Sequence, residues 1–288
     1  MSFHGLPSEF LTQPGPEITK SHIDWSQTTL PEYANAYAVV LDNVLTPAEC
    51  AQLVSAAEAS NKGEWDQAML RSGRDSMRLA TNVRKGDRII WDNREVVDRI
   101  WKRVQPHVPE LQTISNQPMV TGNRPVQFGE IWDFTALNER MRFLRYGPGE
   151  YFKEHEDGAY ERPGGSERTM FTLHLYLNEA DDTNPLVGGA TSFHHIEMKR
   201  ELDVNVTPKF GRVLIFQHKG LLHSGQEVQE GLKLTLRTDM FFAKRKEVVP
   251  QEERVKVGPR VKSKYQYWAK RERKGAGGGA AKSSGATS

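Results

Sequence analysis

The chain has 288 residues, of which 37% are hydrophobic, including six Trp and twelve Phe, so it can bury a substantial core. No run approaches the roughly eighteen apolar residues of a membrane span, and the first twenty residues lack the pattern of a signal peptide. We therefore expect neither membrane insertion nor secretion. The single cysteine, Cys50, excludes an internal disulfide and a multi-thiolate zinc site and fits a reducing compartment, so a bound metal must use histidine and carboxylate ligands.

The net charge of +2 is unevenly distributed. Residues 244–288 carry thirteen Lys or Arg and four Glu, a balance of +9 that leaves −7 for residues 1–243. We predict an extended N-terminal arm over residues 1–36, one domain over residues 37–246, and a basic, largely disordered tail over residues 247–288. The tail is interpreted as a solubilising segment or as a nuclear-targeting or nucleic-acid contact. The predicted location is the cytoplasm, with the nucleus as the alternative.

The first predicted elements follow the proline-containing arm. Tyr37–Leu41 is β-prone and predicts a strand. Thr46 then supplies an N-cap, a proline occupies the first helical position and Glu49 completes a capping box, so a helix is expected to about Ala59. Residues 60–90 carry scattered arginines among small polar residues, which predicts loops and a strand near the mouth of a site.

A second helix is predicted from Asp92 to about Val108. Its apolar residues recur at helical spacing, at Val96, Val97, Ile100, Trp101 and Val104. Such a pattern gives a helix one apolar face, and we expect this face to pack against the outside of a sheet.

The stretch Met141–Gly158, MRFLRYGPGEYFKEHEDG, ends in two candidate metal ligands, His155 and Asp157. Residues 142–146 are β-prone, and a Gly-Pro-Gly turn follows before the chain resumes an extended pattern. On a strand, residues two apart point to the same face, so the imidazole and the carboxylate would converge on one point. Taken alone, such a triplet is more typical of an ordinary surface pair, and further ligands are needed to distinguish the two interpretations.

A strand with one polar face is predicted over Thr169–Asn178, because leucines alternate there with three hydrogen-bonding residues, Thr172, His174 and Tyr176. Beside a metal site these side chains are expected to line a cavity, and the alternative is a face exposed to solvent. Turn-and-strand patterns follow at residues 188–193 and 208–216.

The third candidate ligand, His223, lies past the last of these strands, and the first cation after it is Lys233. Lys233 shares one face of the stretch LKLTLRTDMFF with Arg237, a face that is either solvated or, beside a cavity, suited to an anion. His155, Asp157 and His223 would make a facial triad of two imidazoles and one carboxylate. Such a triad leaves coordination positions open and suits non-haem Fe(II) and oxygen chemistry, whereas a structural zinc site would be closed.

In these motifs the chain resembles the Fe(II)/2-oxoglutarate-dependent oxygenases, most of all their prolyl 4-hydroxylase-like branch, over roughly residues 37–243. The resemblance is carried by RYGPGEYFKEHED, the strand ending in YLN, the GGATSF turn, the GRVLIF strand before HSG, and GLKLTLRTDMFF. It implies a mainly β (α+β) fold, with a double-stranded β-helix or jelly-roll core and supporting N-terminal helices.

The resemblance also implies roles for particular residues. Fe(II) would be bound by His155, Asp157 and His223. The cosubstrate 2-oxoglutarate would be held by Lys233, at its distal carboxylate, and by the hydroxyls of Tyr146 and Tyr176. Arg237 is the alternative partner of that carboxylate and stays open as such. The departures from the secreted prolyl hydroxylases are the missing signal peptide and this second cation, and they argue against collagen as substrate.

The implied reaction consumes 2-oxoglutarate and O2, releases succinate and CO2 and hydroxylates a substrate, with ascorbate as an optional reductant. The expected substrate is a peptidyl residue or a small molecule, with no membrane partner and with nucleic acid only through the basic tail.

The chain has other histidines near the same strands, and two other functions are alternatives to this interpretation. His194, His195 and His218 are expected to be structural, because only His223 is followed by Ser-Gly and a correctly spaced cation. His174 is either a cosubstrate contact or a core residue. The alternatives to an enzyme of this kind are a non-catalytic jelly-roll binding domain and a nucleic-acid demethylase. The second is favoured only by the tail, since the domain lacks a basic stretch interleaved with aromatic residues.

Overall fold

The structure is a computed structural model that describes residues 6–13, 15–71, 77–78, 80–197 and 199–245. The predicted disordered tail, residues 247–288, therefore lies outside the described residues. Within the described ranges, none of the helices is both long enough and apolar enough to cross a membrane.

The described residues form four α-helices, α1 Pro47–Ser60, α2 Arg94–Val104, α3 Pro118–Thr121 and α4 Asn123–Gln127. Short 3₁₀ turns lie at Trp25–Gln27, Pro31–Tyr33, Gln105–His107, Pro109–Leu111 and Arg200–Leu202. The strands of the N-terminal part are β1 Thr19–His22, β2 Ala38–Asp42, β3 Asp66–Gln67, β4 Leu70–Arg71, β5 Met77–Arg78, β6 Arg84–Lys85, β7 Asp87–Asp92, β8 Thr113–Ile114 and β9 Trp132–Leu137. Those of the C-terminal part are β10 Arg140–Tyr146, β11 Glu150–His155, β12 Glu167–Tyr176, β13 Val187–Gly188, β14 Thr191–Phe193, β15 Val204–Val206, β16 Val213–Gln217, β17 His223–Glu230 and β18 Lys233–Lys244.

Two antiparallel sheets make up the core. The larger has the strand order β1-β2-β16-β12-β18-β10-β7-β3, and β9 also pairs with β18. The smaller has the order β15-β14-β17-β11-β6, with β13 paired to β17. From β10 to β18 the chain passes repeatedly from one sheet to the other, which is the winding of a double-stranded β-helix. The predicted jelly-roll core with supporting N-terminal helices is confirmed.

The alternation of side chains along β12 and β18 places two different surfaces on the larger sheet. Leucines such as Leu173 and Leu236 join one hydrophobic cluster with Leu53 of α1 and Ile100 of α2. The opposite face carries the polar residues and points between the sheets, where a cavity lies. The helices therefore cover the outer face of the larger sheet, and the polar face is left for a site.

The two predicted helices differ in how closely their ends match the sequence pattern. In α1 the capping box between Thr46 and Glu49 is present, as predicted. The second helix begins at Arg94 with Asn93 as its N-cap, because Asp92 is still the last residue of β7. It ends at Val104, earlier than predicted, since two 3₁₀ turns follow that contain Pro106 and Pro109, which lack an amide hydrogen.

The N-terminal segment, predicted as an extended arm over residues 1–36, contributes both a strand and core residues. β1 pairs with β2 and extends the larger sheet. Phe10 packs in the main core, and Trp25 packs edge-on against Phe193 in a second cluster between the sheets. The indole nitrogen of Trp25 donates a hydrogen bond to the carbonyl of Ala36, which ties this segment to the start of β2.

Candidate metal centre

Three side chains of the smaller sheet and its adjoining loop converge at one end of the cavity. His155 is the last residue of β11, and His223 is the first residue of β17, its antiparallel neighbour. The two histidines are direct partners in the strand register, and their ring centroids are 4.3 Å apart. Asp157 lies two residues beyond the end of β11, and the register of that strand shifts between Phe152 and His155. The predicted convergence is thus reached at a strand end.

The ligand atoms of these three residues face one another. The Nε2 atom of His155 is 3.6 Å from Oδ1 of Asp157, and the Nε2 atom of His223 is 3.8 Å from Oδ2. All of the candidate ligand atoms lie within 4.8 Å of each other. The Nδ1 atoms approach the carbonyl oxygens of Lys153 and Leu221, at 2.8 and 3.0 Å. Because a carbonyl can only accept a hydrogen bond, each Nδ1 carries the proton and each Nε2 lone pair is left for a metal.

The protonation states also suit a metal. Burial lowers the pKa of His223 to about 3, with a further contribution from the neighbouring His155, so this imidazole is neutral at physiological pH. Burial alone would raise the pKa of Asp157, but Arg237 and the two imidazoles outweigh it and hold that pKa well below its usual value. The site therefore presents a neutral imidazole at His223 and an ionised carboxylate, the forms that bind Fe(II).

Aromatic rings hold the two imidazoles in place. The ring of Phe152 stacks on His155 with centroids 3.6 Å apart and an angle of 20° between the planes. The ring of Phe216 meets His223 edge-on, with centroids 4.7 Å apart. These contacts restrict ring rotation, which is a form of preorganisation for ligand binding.

The metal centre opens into a cavity of about 530 Å³, its mouth included, between the two sheets. Its wall is formed by Arg84, Arg142, Leu144, Tyr146, Phe152, His155, Asp157, Thr172, His174, Thr191, Phe216, His223, Ser224, Gly225, Lys233 and Arg237. The predicted polar face of β12 contributes Thr172 and His174 to this wall. Thr172 donates a hydrogen bond to Oδ2 of Asp157, so it helps to orient the candidate ligand.

Lys233 projects from β18 into this cavity and is only 2% exposed. Its ammonium lies 5.7 and 5.8 Å from the ring centroids of Tyr146 and Tyr176, and no carboxylate among the described residues forms an ion pair with it. Burial lowers its pKa to about 7. Space around it is kept by Gly189, whose φ is +70° and where a Cβ would lie 3.2 Å from Lys233 Cδ. A buried, unpaired cation with room beside it fits an incoming carboxylate.

The two predicted tyrosines are placed differently. The hydroxyl of Tyr146 accepts a hydrogen bond from Arg84 at 3.0 Å, so its own hydrogen is available to a ligand in the cavity. Tyr176 is fully buried and is not part of the cavity wall. Its hydroxyl donates to Thr191 Oγ1 at 2.7 Å. Its predicted contact with a cosubstrate stays a prediction, one that would require Thr191 to give up this bond.

Arg237, the second predicted cation, already has anionic partners. Its Nη1 atom is 2.9 Å from Oδ1 of Asp157, and its Nη2 atom is 3.2 Å from Oδ1 of Asp239. Asp239 is buried and also pairs with Arg142 at 3.0 Å. Arg237 is therefore tied to the metal ligand, whereas Lys233 is not.

The remaining histidines lie outside the cluster of metal ligands. His194 is buried between Ser224 and Asp203, at 2.7 and 2.8 Å. His195 approaches Glu32 at 3.6 Å, and His218 approaches Asp239 at the same distance. The preference for His223 among these residues agrees with this arrangement.

Sequence patterns did not single out several residues of the wall. Arg84, on β6, Phe152 and Arg142 belong to this group. Residues 60–90 contain several arginines, but no periodicity indicates which of them faces a cavity. The alternation along β10 places Arg142 on the same face as Tyr146, a signal that would have found it.

Residues 141–238 match the family described as the 2OG-Fe(II) oxygenase superfamily. This segment contains all three candidate ligands and the two candidate cosubstrate partners, Lys233 and Arg237. No curated protein matches the chain. The resemblance to the 2-oxoglutarate oxygenases is confirmed by the family match over this segment.

Solved structures similar to the chain include three prolyl hydroxylases. A viral collagen prolyl hydroxylase from Paramecium Bursaria Chlorella virus-1 is 20% identical with a TM-score of 0.41, covering 72% of this chain and 96% of that one. A Pseudomonas putida prolyl-4-hydroxylase is 16% identical with a TM-score of 0.46, covering 75% and 96%. A Trichoplax adhaerens prolyl hydroxylase, in complex with a hypoxia inducible factor peptide fragment, is 15% identical with a TM-score of 0.47, covering 76% and 86%.

Proposed function

We propose that this chain, whose core segment is that of a 2OG-Fe(II) oxygenase, hydroxylates a peptidyl residue or a small molecule with 2-oxoglutarate as cosubstrate. The observation that carries the proposal is the placement of two complementary features in one cavity. One is the convergence of His155, Asp157 and His223, and the other is Lys233, buried without an ion-pair partner among the described residues.

The donor set fits Fe(II). Two imidazole nitrogens and one carboxylate, all on one side of a point, would leave the remaining coordination positions free for a cosubstrate and oxygen. When bound, iron and 2-oxoglutarate supply the oxidising chemistry, in which the cosubstrate becomes succinate and CO2 and one oxygen atom enters the substrate.

The residues of the chain bind and orient these groups. Lys233 would pair with the distal carboxylate of 2-oxoglutarate, and the free hydroxyl hydrogen of Tyr146 would donate to the same ligand. Thr172 and Arg237 hold the carboxylate of Asp157 in one orientation. The rings of Phe152 and Phe216 hold the two imidazoles in place.

The proposal is tested by incubating the Fe(II)-loaded protein with 2-oxoglutarate and candidate peptides or metabolites. Succinate should form, and a product heavier by one oxygen atom should be detected by mass spectrometry. His223→Ala should abolish both signals. His195→Ala, a change of the same kind at a histidine outside the cavity, should retain them.

The two alternative functions make different predictions in the same experiment. A non-catalytic binding domain would bind metal and 2-oxoglutarate without forming succinate beyond a metal-only blank. A nucleic-acid demethylase would respond to methylated oligonucleotides and not to peptides or metabolites. The hydroxylase is preferred because a binding module has no chemical need for both an open triad and a buried cation.

A further inference from the structure

Positive charge is concentrated on the wall of the cavity. Four cationic side chains line it, namely Arg84, Arg142, Lys233 and Arg237, and the one carboxylate among the lining residues is Asp157. A second carboxylate, Asp239, pairs with two of these arginines. When the divalent metal and the dianionic cosubstrate of the proposed function are included, two positive charges still lack a counter-charge. A cavity with this balance attracts a further anion.

Arg84 is the cation whose surroundings leave room for that anion. It is 8% exposed, its Nη2 atom donates to the Tyr146 hydroxyl, and its guanidinium carbon lies 4.7 Å from the centroid of the Phe152 ring. Within the described part of the chain it forms no ion pair, and its Nε atom is buried without a hydrogen-bond partner. A buried N–H group without an acceptor is costly, so a ligand oxygen at this point would relieve the cost.

Neighbouring arginines increase the positive potential at Arg84. The pKa of Arg88 is lowered, first by its burial and then by repulsion from Arg84, while Asp66 opposes the shift. Arg88 lies in β7, beside β10, and its guanidinium donates to the carbonyl of Met69. The positive charge of Arg88 therefore adds to the potential at Arg84.

The cavity offers no comparable place for a positive group. Asp157 belongs to the metal, and Asp239 is shared by Arg142 at 3.0 Å and Arg237 at 3.2 Å. No other described residue of the cavity wall is acidic. An ammonium group entering with the substrate would meet cations without a free carboxylate, so the charge pattern selects against free amines.

We propose that the substrate of this oxygenase is a small carboxylic acid, with any amino group acylated, whose carboxylate binds Arg84 with Arg142 beside it. This inference rests on the proposed function, because it assigns the substrate class of the same cavity. The plane of the Arg84 guanidinium is fixed by the Phe152 ring and by the Tyr146 hydroxyl, so little side-chain freedom is lost on binding.

The test uses matched pairs of N-acetyl amino acids and their amides, which differ in charge but hardly in size. With Fe(II) and 2-oxoglutarate present, each compound is assayed for succinate formation above the substrate-free level and for oxygen incorporation. The acid of a responding pair should have a kcat/KM at least roughly tenfold above that of its amide, the size expected for a charge-assisted hydrogen bond.

Variants of Arg84 then test whether this residue causes the preference for the acid over its amide. Arg84→Gln should raise the KM for the acid by roughly tenfold or more, leave the amide unchanged and leave the KM for 2-oxoglutarate unchanged. Arg84→Lys keeps the positive charge but cannot donate the two parallel hydrogen bonds of a guanidinium. It should retain part of the preference for the acid. Arg140→Gln makes the same chemical change at an arginine that pairs with Asp92 outside the cavity, and it should behave as the wild type.

The outcomes separate the two proposals. Calorimetry should detect binding of 2-oxoglutarate to the Fe(II)-loaded protein, and the absence of binding would refute the proposed function itself. If 2-oxoglutarate binds but acids and amides respond alike, or no acid responds, only the substrate class is wrong. An Arg84→Gln variant that raises the KM for 2-oxoglutarate alone would move Arg84 to the cosubstrate and overturn the inference. Should that variant not fold, the preference of the wild-type protein for acids decides.

Discussion

The two cations on the inward face of β18 are four residues apart and differ in their partners. Arg237 is held by Asp157 and Asp239, whereas Lys233 is more deeply buried and contacts no carboxylate among the described residues. The difference shows that the charge of a residue does not by itself identify a ligand site. A cation that is already neutralised organises its neighbours, and one that is buried and unpaired is available to a ligand.

The largest effect is expected at Asp157, one of the two carboxylates that Arg237 contacts. Asp157→Ala should lower succinate formation by at least about 100-fold, because it removes a metal ligand. The fold should survive, since the hydrophobic clusters do not include this residue. Circular dichroism and a succinate assay measure the two quantities. Asp181→Ala, at an exposed aspartate, is the control, and unfolding of Asp157→Ala would show that the carboxylate supports the core.

Arg237→Ala should destabilise the metal-free protein by about 2 kcal/mol, because it leaves two buried carboxylates with one cation fewer. The requirement for 2-oxoglutarate should change little. Denaturant unfolding gives the stability. Arg145→Ala breaks a more exposed pair with Asp87 and should cost less than about 1 kcal/mol. Equal effects of the two variants would show that burial of the Arg237 network adds nothing.

Lys233→Ala should raise the 2-oxoglutarate concentration needed for half-maximal turnover by roughly tenfold, or about 1.4 kcal/mol. The reason is the loss of the unpaired cation that faces the distal carboxylate. Lys244→Ala, at the exposed end of the same strand, should have no effect on this quantity. If Arg237→Ala instead destroyed cosubstrate binding and Lys233→Ala did not, the roles of the two cations would be reversed.

The smallest effect is a pH dependence of cosubstrate affinity. Burial lowers the pKa of Lys233 to about 7, so above that pH the empty site holds a neutral amine. A carboxylate ligand requires the ammonium, so binding takes up a proton and the affinity should fall as pH rises above 7, by at most about tenfold per unit. Calorimetry in buffers of different ionisation enthalpy would detect this proton uptake. Lys233→Arg, which stays charged, should bind independently of pH in this range.

The lowered pKa of Lys233 also makes the free energy of unfolding depend on pH. The unfolded chain has a normal lysine pKa of about 10.4 and binds more protons than the folded chain between pH 7 and that value. The contribution of Lys233 to the stability of the ligand-free protein should therefore become more favourable as pH rises through this window. Denaturant unfolding at several pH values measures this contribution, and Lys233→Met should abolish it.

The sequence predicts those parts of the site that depend on local spacing. His155 and Asp157 are two residues apart in the chain, and His223 and Lys233 begin the consecutive strands β17 and β18, so a pattern could contain all four. The polar face of β12 follows from simple alternation. The capped start of α1 is equally local, because one N-cap and one acidic residue define it.

The parts that sequence could not predict depend on long-range pairing. Arg84 reaches the cavity because β6 pairs with β11, and no periodicity within residues 60–90 contains that partner. The hydrogen bond from Tyr176 to Thr191 joins two strands of different sheets, so the local pattern around Tyr176 does not contain that partner. The ion pair between Arg237 and Asp157 likewise connects residues eighty positions apart, and only the folded arrangement brings them together.

The position of β18 within the larger sheet has a kinetic consequence. This strand lies between β10 and β12, and its register pairs Arg142 with Arg237 across more than ninety residues of chain. Closing a loop of that length is slow, as in other folds dominated by non-local pairing. A chain still emerging from the ribosome without β18 has a gap in the centre of this sheet and lacks both of its inward cations. The pocket can therefore be assembled only after synthesis has passed residue 244, and the candidate ligands His155, Asp157 and His223 gain their complete surrounding wall only then.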